Sequence, residues 1–210
     1  MYAAIGTWPD ISFAVQTLSQ FMSNPGPAHW SAVKHVFRYL NGTRDLGIIY
    51  HKEGEVEPLA YSDANWGANM NDWKSISGYV FQMANGPISW QLKKQPTVAL
   101  SSMEAKYMAE SLATRQVIWL WTLTAELGIP YSGSTTLNVN NQGAINYSNN
   151  TINHGRTKHI DIQHHFVHEK LVSNKMWLQY CTTDDNLANI FTKSLWKPKH
   201  DNFIKRLGMA

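Results

Sequence analysis

Cysteine is almost absent from the sequence. Cys181 stands alone, which excludes a disulfide within the chain and fits a reducing intracellular setting, cytoplasmic or nuclear. No apolar run approaches the ~20 residues a membrane-spanning helix requires, so no membrane partner is expected. The N-terminus carries no secretory signal pattern. Charge is also sparse: 16% of the 210 residues are charged and the formal net charge is +3, a balance that permits nucleic acid as a partner without demanding it. Repeats and low-complexity tracts are missing. What the chain has in quantity is apolar residues, at 43%, ample for a folded core.

The opening residues Met1 to Gly6 are apolar, with neither cap nor charge, and read as the continuation of an element with more before it. A helix is expected from Pro9-Asp10, with Ile11, Val15, Leu18 and Met22 on one face and Pro25-Gly26-Pro27 ending it. A second runs from His29 to Leu40. These helices, with a polar linker at 51–55, set residues 1–55 apart as a helical segment.

Residues 56–196 read as an α/β domain, and 197–210 as a helical tail. A strand through Leu59 to Asp63 comes first. Ile76 to Met83 and Ile88 to Leu92 form a hairpin around Asn85-Gly86. A long helix follows Ser101 and closes at Gly128. Then come a strand at Thr136 to Asn140, a helix start at Gln142, a helix from Ile160 to Val172, a strand from Met176 to Cys181 and a helix from Asn186 to Leu195. This order describes a mixed five-stranded sheet, three antiparallel strands then two parallel ones, flanked by helices. Trp66, Trp90, Trp119 and Trp121 fall at positions that read as core.

Chemistry at one end of that sheet would come from acidic side chains. Asp63 ends the first strand and Glu104 lies in the first turn of the long helix, which places two carboxylates within reach of one Mg²⁺. Each also has a plainer role. Asp63 can end a strand in a turn, and Ser101-Ser102-Met103-Glu104 is a capping box in which Glu104 satisfies backbone donors. His164 and His168 have the i, i+4 spacing of a metal pair, but lack the cysteines or the acidic zinc-protease motif that would go with it.

Several segments carry a resemblance. Tyr61-Ser62-Asp63-Ala64-Asn65-Trp66, Lys74-Ser75-Ile76-Ser77-Gly78-Tyr79, Ile88-Ser89-Trp90, Lys93-Lys94-Gln95, Val98 through Ala105 and His154 through Ile162 resemble, in order and spacing, the ribonuclease H domain of Copia-type retrotransposon Pol polyproteins. Pro9-Asp10-Ile11 and His29 through Thr43 resemble the last part of the same family's reverse transcriptase. The resemblance implies a ribonuclease H fold and two-metal hydrolysis of the RNA strand of RNA:DNA hybrids, with Mg²⁺ or Mn²⁺ held by four carboxylates. It also implies the hybrid and the rest of the reverse transcriptase as partners. Carried over by motif, Asp63 is the first carboxylate and Glu104 the second. The third and fourth positions fall on Asn140 and Asn189.

Those two asparagines are the main departure. Each keeps the shape of aspartate and removes a negative charge beside the cations, so impaired metal binding and impaired or absent cleavage are expected. Trp8, Met103, Lys106 and Gln163 depart as well, standing where the family usually has Arg, Thr, an acid and Arg. Phosphate contacts are expected from Lys93, Lys94, Arg156, Lys158 and His159, and 2′-hydroxyl contacts from Ser101 and Asn141. A silent nucleic-acid-binding or scaffold domain of a decayed or domesticated element is the alternative to an active nuclease.

Overall fold

A computed structural model describes residues 2–52, 57–129, 133–149 and 158–210, with 158–164 as backbone only. Four helical pieces come first: α1 (Tyr2–Gly6), a 3₁₀ turn (Pro9–Ile11), α2 (Ser12–Ser19) and α3 (Pro27–Gly42). The sheet opens with β1 (Leu59–Asn65), β2 (Ile76–Met83) and β3 (Gly86–Lys94), followed by the long helix α4 (Ser102–Glu126). β4 (Thr135–Val139), α5 (Gln142–Asn149), α6 (Lys158–Val172) and β5 (Met176–Tyr180) continue it, and α7 (Asn189–Thr192) and α8 (Lys197–Arg206) close the chain.

The strand order is β3-β2-β1-β4-β5. β1, β2 and β3 are antiparallel neighbours, while β1, β4 and β5 run parallel. This is the mixed sheet expected from the sequence. The hairpin turns where Ala84 and Asn85 both take positive φ, 51° and 64°. Two such residues in succession match the right-handed twist of the flanking strands.

β1 sits at the centre and is buried on both faces. Alternate residues therefore serve two different cores. Ala60, with Tyr79 and Phe81 of β2, packs beneath Ala113, Val117 and Leu120 of α4. Tyr61 and Val80 face the opposite way, toward Ile190 and Phe191 of α7, Phe203 and Ile204 of α8, and Leu207 just after it. Ala105, Ala109 and Ala113 are buried at four-residue intervals along α4. That small-residue stripe lets the helix lie close on the strands.

The tail expected at 197–210 is helical, and it packs into the second core. Its end also holds the segment after α3. Ile48 bridges Met209, and Gly47 and Ala210 exchange backbone hydrogen bonds of 3.0 and 3.1 Å. Three expectations need correction. Trp66 and Trp119 are 54% and 53% exposed rather than core: Trp66 comes just after the end of β1, and Trp119 lies on a solvent-facing side of α4. The helix expected over Asn186 to Leu195 is the single turn Asn189–Thr192. Asn186 instead spends its side chain outside a helix, donating 2.8 Å to Ser62 O and accepting 3.0 Å from Ala188 N. Most of the expected linker and Arg156 lie outside the described residues, as do the side chains of Lys158, His159 and His164.

Candidate active site

Asp63 is 1% exposed and pairs across the ladder with Gly78 of β2. Gly78 is required there. A Cβ at that position would stand 2.8 Å from Thr192 Cγ2 and 3.0 Å from Phe191 Cβ. The missing side chain lets α7 seat against the sheet, and Thr192 Oγ1 then donates to Asp63 Oδ2 at 2.5 Å. Asn65 Nδ2 holds the same turn by donating 3.1 Å to Thr192 O.

The other oxygen of Asp63 meets a cation. Lys106 Nζ lies 2.6 Å from Asp63 Oδ1 and 2.6 Å from Asn140 Oδ1. Asn140 follows β4 directly, one step beyond the parallel Ser62–Val139 pair, so it sits beside Asp63 at the same end of the sheet. Its amide donates to Thr183 Oγ1 at 3.4 Å. Asn189 is fully buried and donates to the Thr183 carbonyl, while its Oδ1 has no donor among the described residues. A second lysine, Lys193, places its Nζ 3.6 Å from Asp63 Oδ2.

Glu104 is not brought to this cluster. Its carboxylate accepts 2.8 Å from Leu100 N, one residue before the N-cap Ser101, and its own N–H donates 3.1 Å to Ser101 Oγ, so both side chains serve the N-terminus of α4. Residues two apart on a helix point in nearly opposite directions, about 200° around the axis. With Glu104 turned to the helix N-terminus, position 106 is the one that reaches Asp63. Buried Gln95 fixes this first turn by donating 2.8 Å to Ala105 O and 2.9 Å to Ser77 Oγ. The signal present in the sequence is Lys106, which stands where the family usually has an acid, whereas the resemblance assigned the second carboxylate to Glu104.

The residues present do not fit the Mg²⁺ or Mn²⁺ that the resemblance implies. One carboxylate remains where four are needed. One of its oxygens is held by an ammonium and the other by a hydroxyl. Among the described residues no group of three His, Cys, Asp or Glu is placed to hold a metal ion. Asp184 and Asp185 nearby are committed elsewhere, to Lys199 at 2.5 Å and Arg206 at 3.5 Å.

Several expected contact residues have local work. Ser101 caps α4, and Asn141 Oδ1 accepts 2.8 Å from Ala144 N at the start of α5. Lys94 pairs with Asp72 at 2.8 Å, while Lys93 is exposed at the end of β3. Burial and the charges of Asp185 and Asp63 push the Cys181 thiol up to about 11, which disfavours its thiolate form. Glu110 was not anticipated. It is fully buried on α4, accepts 2.5 Å from Ser148 Oγ, and burial raises its carboxyl to about 8.

Comparison with known proteins places the chain. A retrovirus-related Pol polyprotein from transposon RE2 of Arabidopsis thaliana is 38% identical over 203 residues, 97% of this chain. The Pol polyprotein from transposon TNT 1-94 of Nicotiana tabacum is 36% identical over the whole chain. The chain belongs to the copia-type Pol polyproteins. It spans 14% and 16% of the length of those two family members. A secreted RxLR effector protein 161 of Plasmopara viticola shares 46% identity over 124 residues, 59% of this chain and 87% of its own length. No family model matches.

Solved ribonuclease H structures align with part of this copia-type chain. LC11-RNase H1, solved in complex with RNA/DNA hybrid, aligns with 65% of this chain and 94% of its own at TM-score 0.47 and 11% identity. A foamy viral protease-reverse transcriptase, also in complex with RNA/DNA hybrid, aligns with 66% of this chain and 20% of its own at TM-score 0.48 and 14% identity.

Proposed function

We propose that this chain is a ribonuclease H-like domain of a retrotransposon Pol polyprotein that binds RNA:DNA hybrid and is impaired or inactive in cleaving it. One observation carries the reading: the Lys106 ammonium lies 2.6 Å from both Asp63 and Asn140. Cleavage of a phosphodiester needs an activated water and positive charge at the leaving oxygen. Asp63 is the remaining carboxylate of the cluster, and Lys106 and Thr192 take up its two oxygens. No group in the cluster is left to accept a proton from water. The resemblance puts the family's second carboxylate at Glu104 and the third and fourth at Asn140 and Asn189, and the residue that meets Asp63 here is Lys106, where the family usually has an acid.

A shared role with the rest of a reverse transcriptase has separate support. α3 buries none of its residues fully and leaves Trp30 and Phe37 61% and 65% exposed, seven positions apart on one face. Such a stripe suits packing against another protein element.

The test is cleavage of a labelled RNA:DNA hybrid in Mg²⁺ and in Mn²⁺. The natural chain and the Asn140→Asp/Asn189→Asp variant, which keeps Lys106, are expected not to cut. The triple variant adding Lys106→Glu is expected to cut. Efficient cleavage by the natural chain would overturn the reading.

A further inference from the structure

We propose that the Asp63 site has become a phosphodiester-binding site, in which Lys106 and Lys193 meet the nucleic-acid backbone without a divalent cation. The inference rests on the proposed hybrid binding and adds where and how it occurs.

The local charges favour an anion. Asp63 supplies one negative charge; Lys106 and Lys193 each supply a positive one, and Asn140, Asn189 and Thr192 are neutral. Asp184 and Asp185 are paired with Lys199 and Arg206, and Glu104 makes its contact with Leu100 N at the start of α4 rather than with Lys106 or Lys193. The cluster thus holds a surplus of positive charge at the end of the sheet.

The donors are also right. An ammonium carries three N–H groups. Asp63 and Asn140 take two from Lys106, and the third has no protein acceptor among the described residues. The Lys106 side chain is 14% exposed, so the site holds it without burying it completely. Lys193 is 32% exposed at 3.6 Å from the other oxygen of Asp63. Asp63 therefore positions two cations, as a carboxylate positions a metal, with the difference that both are tethered to the chain. A phosphate oxygen arriving here displaces less water than at exposed Lys93 and feels a less screened charge.

The experiment is equilibrium binding of a fluorescent RNA:DNA hybrid to the whole chain, read as affinity against salt, in EDTA and in Mg²⁺. The natural chain is expected to bind equally well in both. Lys106→Gln is expected to bind about tenfold more weakly and to lower the slope of log affinity on log salt by about one, while Lys106→Arg keeps the slope. Loss of natural-chain binding in EDTA would overturn the proposal. So would a folded Lys106→Gln protein, checked by circular dichroism, with unchanged affinity and slope. If Lys106→Gln does not fold, the more exposed Lys193→Gln carries the same comparison. Cleavage of the hybrid by the natural chain would instead refute the non-cleaving reading, and it leaves the EDTA and slope results interpretable.

Discussion

Gly78 lies directly across the β1–β2 ladder from Asp63, and the space its missing side chain leaves is filled by Thr192 and Phe191. Replacing it with alanine would force a Cβ to within 2.8 Å of Thr192 Cγ2. Gly78→Ala is expected to cost about 1–3 kcal/mol, the usual range for overpacking a core. It should also move Thr192 off Asp63. Urea denaturation measures the first effect, and a stability loss well under ~0.5 kcal/mol would show that α7 yields without strain.

Lys106 is the principal counter-charge of a buried carboxylate. Lys106→Ala leaves Asp63 with Thr192 and the more distant Lys193. Breaking a fully buried pair costs about 3–5 kcal/mol, and the partial exposure of this one brings the expected loss to about 2 kcal/mol. Millimolar Mg²⁺ should raise the melting temperature of the alanine variant and leave that of the natural chain unchanged. Equal responses of the two proteins to Mg²⁺ would mean that the lysine does not occupy the cation's place.

Asn189 donates to the carbonyl of Thr183 from a fully buried position. Asn189→Asp alone replaces that donor with a lone pair facing a carbonyl oxygen. A loss of about 1–3 kcal/mol is expected at neutral pH. Burial without a partner raises the folded-state pKa of the new acid, so the loss should grow as pH rises above the unfolded value of about 3.9 and shrink below it. Melting curves at pH 4 and pH 7 give the comparison.

Glu110 makes stability depend on pH in a definite direction. Burial raises its carboxyl from 4.5 to about 8, so between those values the folded chain holds a proton that the unfolded chain has lost. Unfolding is favoured progressively as pH rises through that window and no further above it. Glu110→Gln removes the effect, and at 1.36 kcal/mol per unit the gain levels off above pH 8 at no more than roughly 5 kcal/mol. A stability difference between the two proteins that is the same at pH 5 and pH 8 would refute the assignment.

The strands were legible because their pattern is local. Alternating Tyr, Val and Phe, the Asn85-Gly86 turn and the Asp63 strand end each announce themselves within a few residues. The site was harder, because which residue of a helical turn faces the sheet depends on how the helix packs. Ser101 and Glu104 satisfied a local capping rule, and that rule is where Glu104 went. Lys106 acquires its meaning only when the Ala105, Ala109 and Ala113 stripe is laid on β1 and β2. Trp66 and Trp119 failed for the same reason, since apolar character does not say which face an element buries. Glu110 gave no outward sign, as its burial depends on Ser148 of α5, 38 residues away.

The pairing of Gly47 with Ala210, and of Ile48 with Met209, has a consequence for the order in which the chain takes shape during synthesis. Strands β1 to β3 and α4 can associate while residues after 126 are still being made. The join between the helical N-terminal segment and the sheet cannot, because its partners Met209 and Ala210 lie beyond α8 and are made only after the whole sheet. The helical segment therefore waits for the residues that follow α8. During that interval Trp90, whose indole nitrogen donates 3.1 Å to Ala4 O in the finished protein, marks an edge strand β3 without its full cover.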